Sequence, residues 1–154
     1  MTSFGKLLLT VIIVALFGGI VFFLNKKTPE IEPISVVQNN IQPEVLGNKD
    51  DLIFFSIASG LTVSGKIDAN GMIKGNYFFE GNLPISILDA NKNALRITNG
   101  TATTDWMTIE PVSFKTNLDF TGLPSGPAYI QIRNDNASGL PENDKFILIP
   151  IVIE

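Results

Sequence analysis

The chain has 154 residues, 45% of them apolar and 17% charged, with a net charge of −4 and neither cysteine nor histidine. Without cysteine there is no disulfide, lipidated thiol or thiol nucleophile; without histidine there is no Ser-His-Asp triad, and the commonest zinc ligand is missing. Lys6, Lys26 and Lys27 leave eight basic against fifteen acidic residues from Thr28 onward, a balance that repels phosphate backbones and excludes nucleic acid as a partner.

The first element is an unbroken apolar run, Leu7 to Leu24, 18 residues without a charge. As a helix at ~1.5 Å per residue it reaches about 27 Å, close to the ~30 Å hydrocarbon core of a bilayer. It is longer than the apolar stretch of a secretory signal, and Asn25-Lys26-Lys27-Thr28-Pro29 after it lacks an Ala-x-Ala cleavage pattern. The expectation is a cytoplasmic leader (1–6), a retained single-pass transmembrane helix (7–24) and a C-terminal part outside the cytoplasmic membrane. Lysines flank both ends, so the positive-inside count is close to a tie, and the short leader decides for an inside amino terminus. A pilin-like leader would need a carboxylate at the fifth residue after Gly5, where Thr10 stands. Ala15 and Gly19 have the spacing that lets two helices approach closely, although an apolar helix produces it by chance as well.

Residues 25–51 change character. Pro29, Pro33 and Pro43 oppose helix and central strand alike, and Glu30, Glu32 and Glu44 keep the stretch acidic. This predicts an extended linker, roughly 30 Å across as a flexible coil. Its apolar pieces, Ile34 to Val37 and Val45-Leu46, suffice for an edge strand but not for a core.

From Leu52 onward the apolar period becomes two, the mark of strands with one buried face. Leu61 and Val63 alternate with Thr62 and Ser64, and Ile85 and Ile87 flank Ser86. Val112, Phe114, Leu118 and Phe120 share one side, with Thr116 the one polar residue among them. Ala128, Ile130 and Ile132 alternate with Gln131 and Arg133, and Phe146 to Ile153 is apolar on both faces apart from Pro150. Pro150 belongs at an edge or bulge, since it has no amide hydrogen. Turns are expected at Asn70-Gly71, Asn91-Lys92-Asn93, Asn99-Gly100, Gly122-Leu123-Pro124 and Ser138-Gly139-Leu140-Pro141. Strands at this spacing with no helical pattern predict an all-β fold for 52–154, a two-sheet β-sandwich of about seven or eight strands. Trp106, Phe78 or Phe79, Phe114, Phe120 and Phe146 are the expected core.

Tyr77-Phe78-Phe79-Glu80, Leu83-Pro84-Ile85 and Leu88-Asp89-Ala90-Asn91 are followed in order by Asp105-Trp106-Met107-Thr108 and Pro111-Val112-Ser113-Phe114. The run from Asp135 through Ser138-Gly139-Leu140-Pro141 to Asp144 and the closing Ile149-Pro150-Ile151 complete the set. This ordered set resembles the bacterial spore-germination-type immunoglobulin-like domain. The resemblance implies an immunoglobulin-like sandwich in the cell envelope, often behind an anchor, and supplies no catalytic residues.

Several groups of residues could carry chemistry. Glu80, Asp89, Asp105, Glu110 and Asp119 are the carboxylates that a glycoside hydrolase would have to pair. Asp89-x-Asn91-x-Asn93 begins like a calcium loop, but Ala94 and Gly100 stand where Gly and Glu are needed. The stretch from Asn134 fits better at Gly139 but has Lys145 at its twelfth position, leaving Asp135, Glu142 and Asp144 as weak metal candidates; Asx turns explain both loops. Tyr77, Trp106 and Arg133 are weak candidates for a sugar-stacking surface, with a core role for Trp106 as the competing reading. Asn99-Gly100-Thr101 and Asn136-Ala137-Ser138 match the glycan-acceptor pattern.

Together these features predict a membrane-anchored, extracytoplasmic module that binds protein or envelope polysaccharide without catalysis and without a cofactor. A carboxylate-dependent envelope glycoside hydrolase and a pilin-like subunit are the alternatives.

Overall fold

A computed structural model describes residues 42–154. The leader, the predicted transmembrane helix with Ala15 and Gly19, and most of the linker lie outside the described residues. Among the described residues no helix is long and apolar enough to cross a membrane.

The described part is all-β. Its strands are β1 (Leu46–Gly47), β2 (Leu52–Phe55), β3 (Thr62–Val63), β4 (Lys66–Lys74), β5 (Asn82–Asp89), β6 (Ala94–Ala102), β7 (Pro111–Asp119), β8 (Gly126–Arg133) and β9 (Phe146–Ile153). Single 3-10 turns occupy Lys49–Asp51, Gly75–Tyr77 and Pro141–Asn143. The strands form one curled sheet in the order β1-β9-β8-β5-β6-β7-β4-β2, antiparallel along that path, and β3 adds to β9 in parallel. Two separate sheets were expected; hydrogen bonding instead runs on through β6. Most of β6 pairs with β5, and its last three residues, Gly100 to Ala102, pair with β7. At Gly100 and Thr101 β6 is therefore paired on both edges, and there the sheet continues from β5 to β7.

The period-two reading holds where it was clearest. Val112, Phe114, Leu118 and Phe120 are buried, as are Ile85, Ile87, Ala128, Ile130 and Ile132. Thr116 is buried among them, and its hydroxyl donates to the Asn99 carbonyl at 3.1 Å, which removes the penalty for an unpaired polar group. Pro150 interrupts the outer edge of β9. Its carbonyl accepts from the Gly60 amide at 2.8 Å, while Leu148 pairs with β1 on one side of it and Val152 with β3 on the other. The missing donor therefore faces the gap between two short strands, not the β8 ladder.

Two expected turns are strand interiors. Asn70-Gly71 lies within β4 and Asn99-Gly100 within β6. A Cβ on Gly71 would sit 2.6 Å from the Phe114 ring, and one on Gly100 would sit 3.2 Å from it. The two glycines are there for close packing around one aromatic side chain. The expected aromatic core is also corrected. Phe78, Phe114 and Phe120 are buried, whereas Phe79 and Phe146 are exposed and Trp106 is only partly buried against the core. Leu61, read as inward, is exposed at the start of β3.

Residues ahead of Leu52 join the sheet. Val45-Leu46 does contribute an edge strand, because Leu46 and Gly47 pair with Leu148 and Ile147. Val45 packs on the core, the Ser59 hydroxyl donates to the Pro43 carbonyl, and Asp51 is buried. A fragment spanning 52–154 loses these contacts and strands Lys74 and Lys145 without their acid. Chemical denaturation should find it less stable than a 42–154 fragment by about 3 kcal/mol; equal stability would show that the contacts ahead of residue 52 contribute nothing.

Candidate binding surface

The strand directions place three connections at one end of the sheet: 75–81 between β4 and β5, 103–110 between β6 and β7, and 134–145 between β8 and β9. They are joined by backbone hydrogen bonds. The Gly75 amide donates to the Glu110 carbonyl at 2.9 Å, Ala102 to Gly81 at 2.9 Å, and Asp135 to Tyr77 at 3.0 Å. Gly75 is required by close approach, since a Cβ there would lie 1.8 Å from the Thr108 carbonyl oxygen.

Asp51 fastens this end from beneath. Its carboxylate takes Lys74 Nζ at 2.5 Å and the Tyr77 hydroxyl at 3.2 Å, with Lys145 Nζ at 3.8 Å. One acid thereby links the segment entering the domain, the end of β4, the 3-10 turn at Gly75–Tyr77 and the start of β9. Burial pushes the Asp51 carboxyl up, but Lys74 first, then Tyr77 and Lys145, outweigh it, and its pKa lies below the usual carboxylate range. Burial, together with the Asp51 charge, holds the Tyr77 phenol well above its ordinary value.

The connection 103–110 is closed by its own hydrogen bonds yet ends in apolar side chains. Asp105 caps the Met107 amide at 3.1 Å, and the Thr108 hydroxyl takes the Glu110 amide at 3.1 Å. Met107 is nevertheless 76% exposed and Ile109 81% exposed. Trp106 lies against Gly81, which heads the hairpin that also carries exposed Phe79. Phe79 and Asn82 exchange both backbone hydrogen bonds around Glu80 and Gly81, which have φ of 49° and 75°. That is the primed two-residue turn matched to a twisted hairpin.

The proposed sugar-stacking trio is not brought together as a surface. Tyr77 is fully buried, so its ring offers no face to a ligand. Trp106 is half-covered, and Arg133 sits beside the third connection, 3.7 Å from Asp144. Of the metal candidates, Asp135 and Asp144 line one shallow cleft with Arg133, and Glu142 does not. Asp144 takes the Asn136 amide at 2.9 Å in addition to Arg133, Asp135 and Glu142 are exposed, and no acidic group suited to a metal exists among the described residues. Asn136 and Ser138 hold the loop by Asx-type bonds, and the Asp89 carboxylate likewise closes its own turn through Asn93 and Asn91.

Of the five carboxylates considered for hydrolysis, Glu80, Asp105 and Glu110 stand at the loop-bearing end, and Asp89 and Asp119 at the opposite one. Hydrogen bonds from Thr121, with Lys66 and Arg96 nearby, hold the Asp119 carboxyl below its usual range. A shallow cleft of about 380 Å³ lies beside the third connection, lined in part by Pro84, Ser86, Ile97, Arg133 and Asn136. A second, of about 440 Å³, is polar and includes Asp68, Asn99, Thr101 and Asn117, which puts the first glycan-acceptor pattern on the face of a strand.

No protein-family model matches the chain, and no curated protein and no solved structure matches it.

Sequence reasoning did not find Asp51, Gly75, Met107 or Ile109 as parts of this end. Asp51 makes a direct prediction. Its folded pKa lies below its unfolded value near ~3.9, so its contribution is present above that pH and lost as pH falls through the folded value. Because Lys74 and Lys145 can reach water, Asp51→Asn in the 42–154 fragment should cost only about 1–2 kcal/mol at neutral pH. Denaturation at about pH 7 and about pH 2.5 should show that difference shrinking in acid; a pH-independent difference would contradict the assignment.

Proposed function

We propose that the protein is a membrane-anchored, extracytoplasmic binding or scaffolding module of the bacterial cell envelope. The apolar run Leu7 to Leu24 anchors it, the Pro-containing linker sets it off the bilayer, and an immunoglobulin-like domain presents a surface for protein or envelope polysaccharide. The strand order supports the fold: β2-β4-β7-β6 follows A-B-E-D, and β5-β8-β9 follows C-F-G. In this reading β6 is a D strand that also pairs with C. The spore-germination-type resemblance points the same way.

The observation that carries the binding role is the loop-bearing end, where two connections bonded to a third hold large apolar side chains in water. A rigid scaffold that positions loops is the common arrangement for recognition.

The absence of native cysteine makes the address directly testable. Ser125 is exposed in the turn between β7 and β8. In the full chain, Ser125→Cys should sediment with membranes and react with a membrane-impermeant maleimide in intact cells. Labelling only after lysis, or release from membranes by alkaline extraction, would overturn the anchored, outward-facing reading.

A further inference from the structure

We propose that the patch formed by Phe79, Trp106, Met107 and Ile109, rimmed by Glu80, Asp105 and Glu110, docks a protein segment of complementary make-up: apolar side chains flanked by lysine or arginine. The inference rests on the reading of the domain as a binding module and specifies the end used and the chemistry of the partner.

The apolar part comes from two neighbouring connections. Trp106 lies 3.4 Å from the Cβ position of Gly81, two residues from Phe79, and Met107 and Ile109 follow Trp106 in the same bonded connection. Exposed apolar side chains on a mobile loop can fold back on themselves. These cannot readily do so, because Asp105 and Thr108 fix the local turns and Gly75 receives the Thr108 carbonyl. The cost of ordering the surface is thus already met in the free domain, as in preorganised interfaces.

Charge selects the partner. Lys49, Lys74, Arg133 and Lys145 are the cations around this end, and each is paired: with Glu44, Asp51, Asp144 and again Asp51. Among the described residues Glu80, Asp105 and Glu110 take part in no ion pair. Lys74 and Lys145 share one carboxylate, which leaves one positive charge against the three unpaired acids, so the balance at the rim is negative. It favours a basic segment and meets an anionic bilayer as like charge. A two-fold contact with a second copy of the same end would set these carboxylates against themselves.

Glu80 gives independent support. It occupies the first central position of a primed turn at φ 49°, a conformation suited to Asn, Asp or Gly and strained for glutamate. A longer acid is thus held at the rim where a better turn residue would fit, and it reaches farther toward a bound cation.

The test is selection of random twelve-residue peptides on the full chain in zwitterionic nanodiscs, with counter-selection on the Met107→Ser, Ile109→Ser double variant. Both residues are so exposed that this variant should keep the wild-type melting temperature. The expected outcome is enrichment of sequences combining Leu, Phe or Trp with Lys or Arg, and a blue shift of Trp106, the one tryptophan, on binding. Neutralising the rim by Glu80→Gln, Asp105→Asn and Glu110→Gln should weaken these peptides about tenfold at low salt. Glu80→Asn alone should melt higher than wild type yet bind more weakly, a combination that a purely structural role would not give.

Enriched acidic or uncharged peptides that need Met107 and Ile109 would overturn the partner chemistry and leave the binding module standing. Peptides indifferent to the double variant would overturn the choice of this end. No enrichment at all would count against both. A peptide-independent shift of Trp106 in anionic nanodiscs, or self-association abolished by the double variant, would overturn the proposal in favour of a bilayer or a second copy.

Discussion

Phe114 lies between two glycines of neighbouring strands, and the shape of the domain depends on that fit. Gly71 of β4 is directly opposite it across the β4–β7 ladder, and Gly100 of β6 approaches from the other side. The ring stacks on Phe55 at 5.9 Å and meets Phe78 edge-on at 6.4 Å. Removing either hydrogen side chain's space would push β4 or β6 off β7. Since β6 is paired with both β5 and β7 at this level, the same contact lies where the two parts of the sheet join. A chain without disulfides needs such a centre, because its stability rests on packing and hydrogen bonds alone.

The loop-bearing end extends that centre. Phe78 leads from the core into the Glu80-Gly81 turn, and Tyr77 beside it is pinned by Asp51. Lys74 and Lys145 close on the same carboxylate from β4 and from the approach to β9. Above this charged junction two connections bond to a third, and their outermost side chains are Phe79, Met107 and Ile109. Rigidity below and apolar exposure above belong to one arrangement: the groups that order the end are used up within it, and the groups left over suit an encounter with something else.

Much of the fold was legible because its signals are local. The alternation in Pro111–Asp119 identified β7 and its single inward polar residue, and the run Phe146–Ile153 identified β9. The misreadings have nonlocal causes. Asn-Gly at 70–71 and 99–100 carries a turn signal, but what decides both sites is the Phe114 ring, distant in sequence. Tyr77, considered for a sugar-stacking surface, sits in a 3-10 turn, is buried in the apolar core and gives its hydroxyl to an acid 26 residues away. Phe146 points outward because Ile147, Ile149, Ile151 and Ile153 take the inward side of β9. Asp51 had no signature at all, being one acid at the end of a polar, Pro-containing stretch, with its partners at 74, 77 and 145.

The central claim is that the loop-bearing end is a preformed surface and not a set of independent flexible connections. Hydrogen exchange on the full chain tests it most directly, through the amides of Gly75 and Asp135, which bond across connections to Glu110 and Tyr77. The account predicts protection at both comparable with that of the strand amides in β4 and β7. Exchange at free-peptide rates in 75–81 and 103–110, with the strands still protected, would contradict it.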